Sequence, residues 1–383
     1  MSKTMIYADH AATTVLSPTA YTAMQPWLKD KYGNPSTLYS LAREPRKAVA
    51  SARETIAACI GAKPKEIYFT SGGTEADNWA LTGMAFQYPN QRGRIVTSCI
   101  EHHAVLHTCD FLDRMGYGID LLPVNRDGAV SSSMLEDHLQ DDAILVSVML
   151  ANNEIGTIQP IRELAKIAHC HHCLFHTDAV QGVGHIPIDV RELGVDMLSA
   201  SAHKFNGPKG CGFLYVREGI SIEPFMHGGA QEHGHRAGTE NVAGIVGMAA
   251  ALEEHQKQLA QEMTYLHKLA DTLLGHLRET DLDFIVNGSA ERIPGSLSLS
   301  FRNADGEMLL HRLDLMGTAV ATGSACDSKD AVLSHVIRAI GVPNEYKHGT
   351  VRITLGMDNS EKDVQSIAEQ IVHIPVSYTH LTL

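Results

Sequence analysis

The chain has no apolar run approaching the roughly 18 residues needed to cross a bilayer, so no membrane-spanning helix is expected. Its opening, MSKTMIYADHAATT, lacks the apolar core of a secretory signal, and the expectation is a cytoplasmic protein with no membrane partner. Positive charge is in deficit: 31 Lys and Arg stand against 44 Asp and Glu, a net charge of -13. Nucleic-acid binders normally present a basic surface, so no nucleic-acid partner is expected. An acidic enzyme with a local basic pocket stays open. There is no internal repeat and no low-complexity linker. The seven cysteines cannot all pair within one chain, and in a reducing compartment none needs to. The question becomes which thiol is reactive.

What is present suits a globular fold. At 383 residues, 44% hydrophobic and 20% charged, the chain can build one large and one smaller domain. Its first two thirds alternate short apolar runs with helical periodicity, the pattern of an α/β domain with a mostly parallel sheet. Ala48, Val49, Ala52, Ile56 and Ile60 predict a helix over Glu44–Cys59, stopped near Gly61. EIYFT, RIVTS, AILVSVML, CLFHTD, DMLSAS and GFLYV read as strands.

Between Glu240 and Thr280 apolar residues recur at three- and four-residue steps, through Val242, Ile245, Val246, Ala249 and Leu252 and again through Leu266, Leu269, Leu273 and Leu277. That length predicts a kink or break between two helices, and a bridge into a second domain. The second domain would hold strands at SLSLSF, TAVAT and VRITL, with helices near Ala331–Ile340 and over Ser360–Ile371. The ending VSYTHLTL continues no pattern and is set aside as an assembly artefact.

HCHHCLFH, from His169 to His176, offers the zinc-like spacing Cys170-x-x-Cys173. A second pair at suitable distance is missing and the segment runs into a strand. Helix-end and surface histidines are therefore the reading, and no metal site is expected. Cys59, Cys99, Cys109 and Cys211 fall on helix faces or strand ends and read as packed, although Cys211 lies close in sequence to Lys204. Cys326 differs. In ATGSACDSKD it sits among small, polar and charged residues, either an incidental surface thiol or a working one.

Chemistry gathers at predicted strand ends. FTSGGTEADN runs a strand into Gly72 and Gly73, with Thr74 opening a helix; glycines let backbone approach a ligand, and helix N-termini bind phosphate. An ordinary capped turn has the same composition. Asp178 ends one predicted strand and Lys204 follows the end of the next, the edge at which open α/β sheets bind ligands. A Lys that forms a Schiff base and an Asp that keeps a pyridine nitrogen protonated are what pyridoxal phosphate (PLP) requires. A surface ion pair is the plainer alternative; Ser201, His203 and neighbouring glycines argue against it. His102, Asn153 and Thr239 fall at comparable positions.

YADHAATT, NPSTLYS, TSGGTEADN, EHHAVL, NNEIGTIQPI, HTDAVQGVG, SAHKFNGPKGCGFLYV, HGGAQEHGHRAGTEN and GSAC follow one another in an order that resembles the cysteine desulfurases of NifS/IscS type. These belong to the class V aminotransferase group of fold type I PLP enzymes. The resemblance runs from about Tyr7 to Asp363. It implies a PLP-dependent transferase of fold type I: a large PLP-binding domain over 1–255 with a mostly parallel mixed sheet, and a smaller α+β domain over 256–375. The N-terminal segment would join the small domain in part, and 376–383 would be the artefactual tail.

The resemblance also implies roles. Lys204 would be the Schiff-base lysine, Asp178 the partner of the ring nitrogen, Gln181 that of the phenolic oxygen, and His102 a ring-stacking proton shuttle. Gly73, Thr74, Ser201 and His203 would hold the phosphate, with Thr239 reaching across a homodimer. Asn153 would contact cofactor and substrate, and Arg352 would grip the substrate carboxylate with its two-pronged guanidinium. Cys326 would be the nucleophile that takes sulfur from L-cysteine as a persulfide, leaving alanine, and passes it to an acceptor or iron–sulfur scaffold protein. Such a thiol must ionise and must reach both substrate and acceptor. The chain departs from many relatives by reading SKDAVLSHVI where they have a Glu-Pro pair. A selenocysteine lyase or another class V aminotransferase is the alternative within the group. A metal-binding scaffold using the His/Cys cluster near residue 170 is the alternative outside it.

Overall fold

The computed structural model describes residues 5–88, 93–323 and 333–374. Its strands are β1 (Ile6–Tyr7), β2 (Ile67–Thr70), β3 (Arg94–Ser98), β4 (Gly118–Leu122), β5 (Ala143–Ser147) and β6 (Leu174–Asp178). They continue with β7 (Met197–Ser201), β8 (Gly212–Val216), β9 (Phe284–Val286), β10 (Ser296–Phe301), β11 (Thr318–Ala319) and β12 (Thr350–Thr354). Seven form one sheet in the order β2-β8-β7-β6-β5-β3-β4. β8 runs antiparallel to both neighbours and the remaining pairs are parallel. This is the mixed, mostly parallel sheet that the resemblance implies. One consequence positions the site: β2, β3, β5, β6 and β7 all end at the same edge.

Helices cover the sheet. After α1 (Pro18–Leu28), the apolar stripe on α2 (Arg43–Cys59) buries Val49, Ala52 and Ile56. Its end is set by Gly61 at φ +72°, a conformation glycine takes without steric cost. α3 (Gly73–Gln87) is buried on most sides, with Trp79 fully enclosed, because it packs between sheet and surface helices. α4 (His103–Arg114) starts after β3. One face of the sheet packs with α2 into the main core around Phe175, Phe205, Phe213 and Leu198, and α3 and α4 cover the other face around Trp79, Leu112, Leu145 and Leu214.

A separate core gathers Leu266, Leu269, Leu273, Leu297, Phe301, Ile353 and Ile367. It lies on the antiparallel sheet β12-β10-β9, beside the helices Gly306–Met316 and Glu361–His373. The N-terminal β1 pairs with β11, and Ala8 is buried in this second core.

Three sequence expectations change. Val242–Arg278 is one unbroken helix of 37 residues, not two. No proline interrupts it, and its first half packs Ile245, Met248 and Leu252 into the main core while its second half packs Leu266 to Leu277 into the other. Packing at both ends removes the need for a break. The strand expected over AILVSVML is regular only through Ser147, although the Val148 and Leu150 N–H groups still donate to the His176 and Asp178 carbonyls of β6. Of TAVAT only Thr318–Ala319 form a strand, and Ala321 makes an isolated bridge to Arg352. No helix among the described residues is long and apolar enough to cross a membrane.

Candidate active site

A cleft of about 610 Å³ opens at the shared strand edge. It is lined by Gly73, Thr74, His102, Asn153, Asp178, Gln181, Ser201, His203, Lys204 and Arg352, together with Ala11–Thr13, Asp77, His103, Glu154, Lys209 and His335.

Lys204 follows β7 in a short 3-10 turn. Its Nζ donates to the carbonyls of Ala11 (2.5 Å) and Ala12 (2.9 Å), which hold the amine in the cleft. Asp178 closes β6 and is buried; its Oδ1 accepts the Val180 N–H at 2.9 Å. Burial pushes its carboxyl up, and His102, the Val180 N–H and Lys204 pull it back toward the ionised form. His102 caps α4, its Nδ1 accepting the Ala104 N–H at 3.1 Å, so the neutral ring carries its proton on Nε2. Burial lowers its pKa, and Asp178 opposes that. Gln181 Nε2 donates to Ala11 O at 3.1 Å.

The turn between β2 and α3 is shaped by missing side chains. Gly72 adopts φ +150°, outside the range of ordinary residues. A β-carbon on Gly73 would come within 2.5 Å of Val180 Cγ2. The first turn of α3 therefore meets the cleft with its unpaired N–H groups, beside Thr74 and the Ser201 hydroxyl. Glu75 in the same turn also lines the cleft, its carboxylate held by Arg236 at 2.8 and 3.1 Å and by the Ser71 N–H at 2.9 Å. His203 Nδ1 lies 3.1 Å from Thr13 Oγ1, and burial followed by the charges of Lys204 and Lys209 holds its pKa at about 4.

Arg352 reaches the cleft already engaged: Nη2 donates to Asp9 Oδ1 (2.7 Å) and Nη1 to Asn153 O (2.8 Å). Its Nε has no partner among the described residues. Thr239 is exposed and does not line the cleft of a single chain. Cys326 lies outside the described residues. Gly323, three positions before it, lines the cleft.

Several lining residues escaped the sequence reading. Asp77 and Glu154 sat inside quoted motifs without a role, and Asp9 belongs to the YADHAATT segment that β1 carries across to the site. The other cysteines are packed or peripheral: burial pushes Cys109 and Cys173 up to about 12 and Cys59 and Cys211 up to about 11. Cys170 is exposed, and His169 pairs with Asp196 at 2.8 Å rather than with a cysteine.

The residues present fit PLP. A lysine amine and a buried aspartate stand at the ends of adjacent strands, with a glycine-shaped phosphate cradle at the same edge, and these features define a PLP-dependent enzyme of fold type I. The chain belongs to the aminotransferase class-V family, whose model matches residues 6–367. A cysteine desulfurase IscS of Dictyoglomus turgidum is 50% identical over 97% of this chain and 95% of its own length. A second, from Methanosarcina thermophila, is 45% identical over 96% and 91%. Among solved structures, a NifS-like protein superposes with a TM-score of 0.90 at 37% identity, covering 96% of this chain and 98% of its own. SspA in complex with cysteine gives 0.83 at 34%, covering 92% and 99%.

Proposed function

We propose that the protein is a cysteine desulfurase that converts L-cysteine to L-alanine and delivers the sulfur to Cys326 as a persulfide. The observation that carries this reading is the placement of Lys204 and Asp178 on one cleft with the Gly72–Thr74 cradle, in a chain whose relatives are desulfurases.

PLP, when bound, draws electrons from the substrate Cα through its protonated ring. Lys204 would hold its aldehyde carbon, and the N-terminal turn of α3 with Thr74, Ser201 and His203 would hold its phosphate. Asp178, ionised, keeps the ring nitrogen protonated, and Gln181 bonds the phenolic oxygen. Lys204, once released by substrate, takes the Cα proton; His102, neutral and bearing its proton on Nε2, is placed to pass protons. Asn153 orients the substrate, and Arg352 receives its carboxylate by exchanging part of its bond to Asp9. The Cys326 thiolate attacks the substrate sulfur. The C–S electron pair stays with carbon, which takes up a proton, so L-cysteine and one thiol give L-alanine and one persulfide.

We place the enzyme in the cytoplasm as a homodimer, with Thr239 supplied to the partner's cleft, and infer an acceptor or iron–sulfur scaffold protein as destination. Large apolar residues left exposed on the N-terminal arm, Tyr32 at 74% and Leu38 at 96% among them, support the dimer. The test supplies L-cysteine with a reductant and measures both products. Alanine and sulfide appear in equal amounts, and Lys204→Ala abolishes both along with the visible band of bound PLP. Keto acid without sulfide would instead indicate a transaminase.

A further inference from the structure

Behind the cleft lies a buried layer of ionisable groups that the reaction above does not use. Asp77, one turn into α3, is 1% exposed and borders the cleft floor. Glu101, fully buried before α4, accepts the Met149 N–H at 3.0 Å and the Ser98 hydroxyl on Oε1, while Oε2 has no partner among the described residues. His176 lies two residues before Asp178 on β6, so both side chains share one face of the strand. Its ring is held between Ser147 Oγ (2.8 Å) and Ser199 Oγ (2.9 Å). Nε2 stands 3.8 Å from Asp77 Oδ1, an oxygen with no hydrogen-bond partner among the described residues.

Neighbouring carboxyls in one dry pocket do not all ionise, because each charge disfavours the next. Asp178 has stabilisers for its charge: the Val180 N–H, His102 and Lys204. Asp77 has only the neutral Ser199 hydroxyl on its side and no cation, since His176 is kept neutral by burial, its pKa lowered to about 3. Burial first, and the charge of Asp178 next, push the Asp77 carboxyl well above the usual range.

We propose that Asp77 holds the proton of a buried carboxyl pair with Asp178 and acts as a positioning residue, leaving Asp178 as the single charge facing the cofactor's ring nitrogen. The inference rests on the reading of Asp178 given under Proposed function. The titratable groups that act on Asp77 are His176 and Asp178 from β6 and Glu101 ahead of α4; His102 and Lys204 line the same cleft and act on Asp178. β5 and β7 contribute the Ser147 and Ser199 hydroxyls.

The test compares urea unfolding of the full-length holoenzyme across pH for wild type and Asp77→Asn, alongside pH titration of the bound cofactor's absorption band. An unfolded aspartate releases, above about pH 4, a proton that the folded one keeps. The folded-to-unfolded ratio of wild type should therefore fall relative to Asp77→Asn, by up to about tenfold per pH unit. The band's midpoint should not move in Asp77→Asn, because one neutral group replaces another. Asp77→Ala should lose bound PLP about tenfold more readily than wild type, with Asn restoring retention. Parallel pH dependence in both proteins, or a lower band midpoint in Asp77→Asn, would show an ionised Asp77 and overturn the proposal. Full PLP retention in Asp77→Ala would overturn the positioning role. A wild type that binds no PLP would fail the functional reading instead, while the unfolding comparison would still report on Asp77.

Discussion

Gly72 holds φ +150° and ψ −176°, a backbone conformation that residues with a β-carbon rarely adopt, although a β-carbon there would meet Ser201 Oγ at an ordinary 3.5 Å. Gly72→Ala should therefore cost about 1–3 kcal/mol of strain and weaken PLP retention, measured by unfolding and by dialysis of the holoenzyme. Glu232 is the other single residue on which much depends. It receives Arg53 at 2.8 and 2.7 Å and the Phe69 N–H at 3.0 Å, with the guanidinium 4.4 Å over the Phe69 ring. Glu232→Ala leaves a largely buried guanidinium uncompensated and should destabilise by about 3–5 kcal/mol in denaturant unfolding. Residues with one standard job were readable in the sequence: Lys204 and Asp178 were found because a strand end, a lysine and an aspartate form a chemical requirement. Asp77 and Glu101 were not. An acid in the first turns of a helix, or just ahead of one, looks like capping chemistry, and only the tertiary fold shows that these two are buried together.

The parallel strands deliver their C-terminal residues to one edge, which is why motifs far apart in the chain meet. Those strands were legible because their apolar runs are nearly continuous, as strands covered on both faces are. β4, reading GIDLL, was not recognised: it is an edge strand, half exposed, with an aspartate at its centre. The 37-residue helix was misread for a related reason. Its stripe serves two cores in succession, and a local pattern cannot show that both ends will be held. We propose that the boundary between the domains falls inside it, near residue 255. Gln258→Pro, at an exposed position between the two cores, should cost about 3 kcal/mol or more. It should also split urea unfolding into two steps, followed by fluorescence and circular dichroism, where wild type shows one.

As a whole the chain is an acidic protein whose site is finished, in this account, by a second copy. Sedimentation should give twice the 41.6 kDa chain mass. Leu38→Glu, which places charge on the exposed arm, should shift that mass toward the monomer and weaken PLP retention through loss of Thr239. Among the described cysteines the sulfurs are buried or peripheral to the cleft, which leaves the sulfur-accepting role to Cys326. The most direct test is mass spectrometry of the intact enzyme after L-cysteine is added without reductant. The peptide carrying Cys326 should become one sulfur atom heavier as one alanine is released, and Cys326→Ala should retain PLP yet gain no sulfur. Sulfur on another cysteine, or alanine and sulfide from Cys326→Ala at the wild-type rate, would contradict the account.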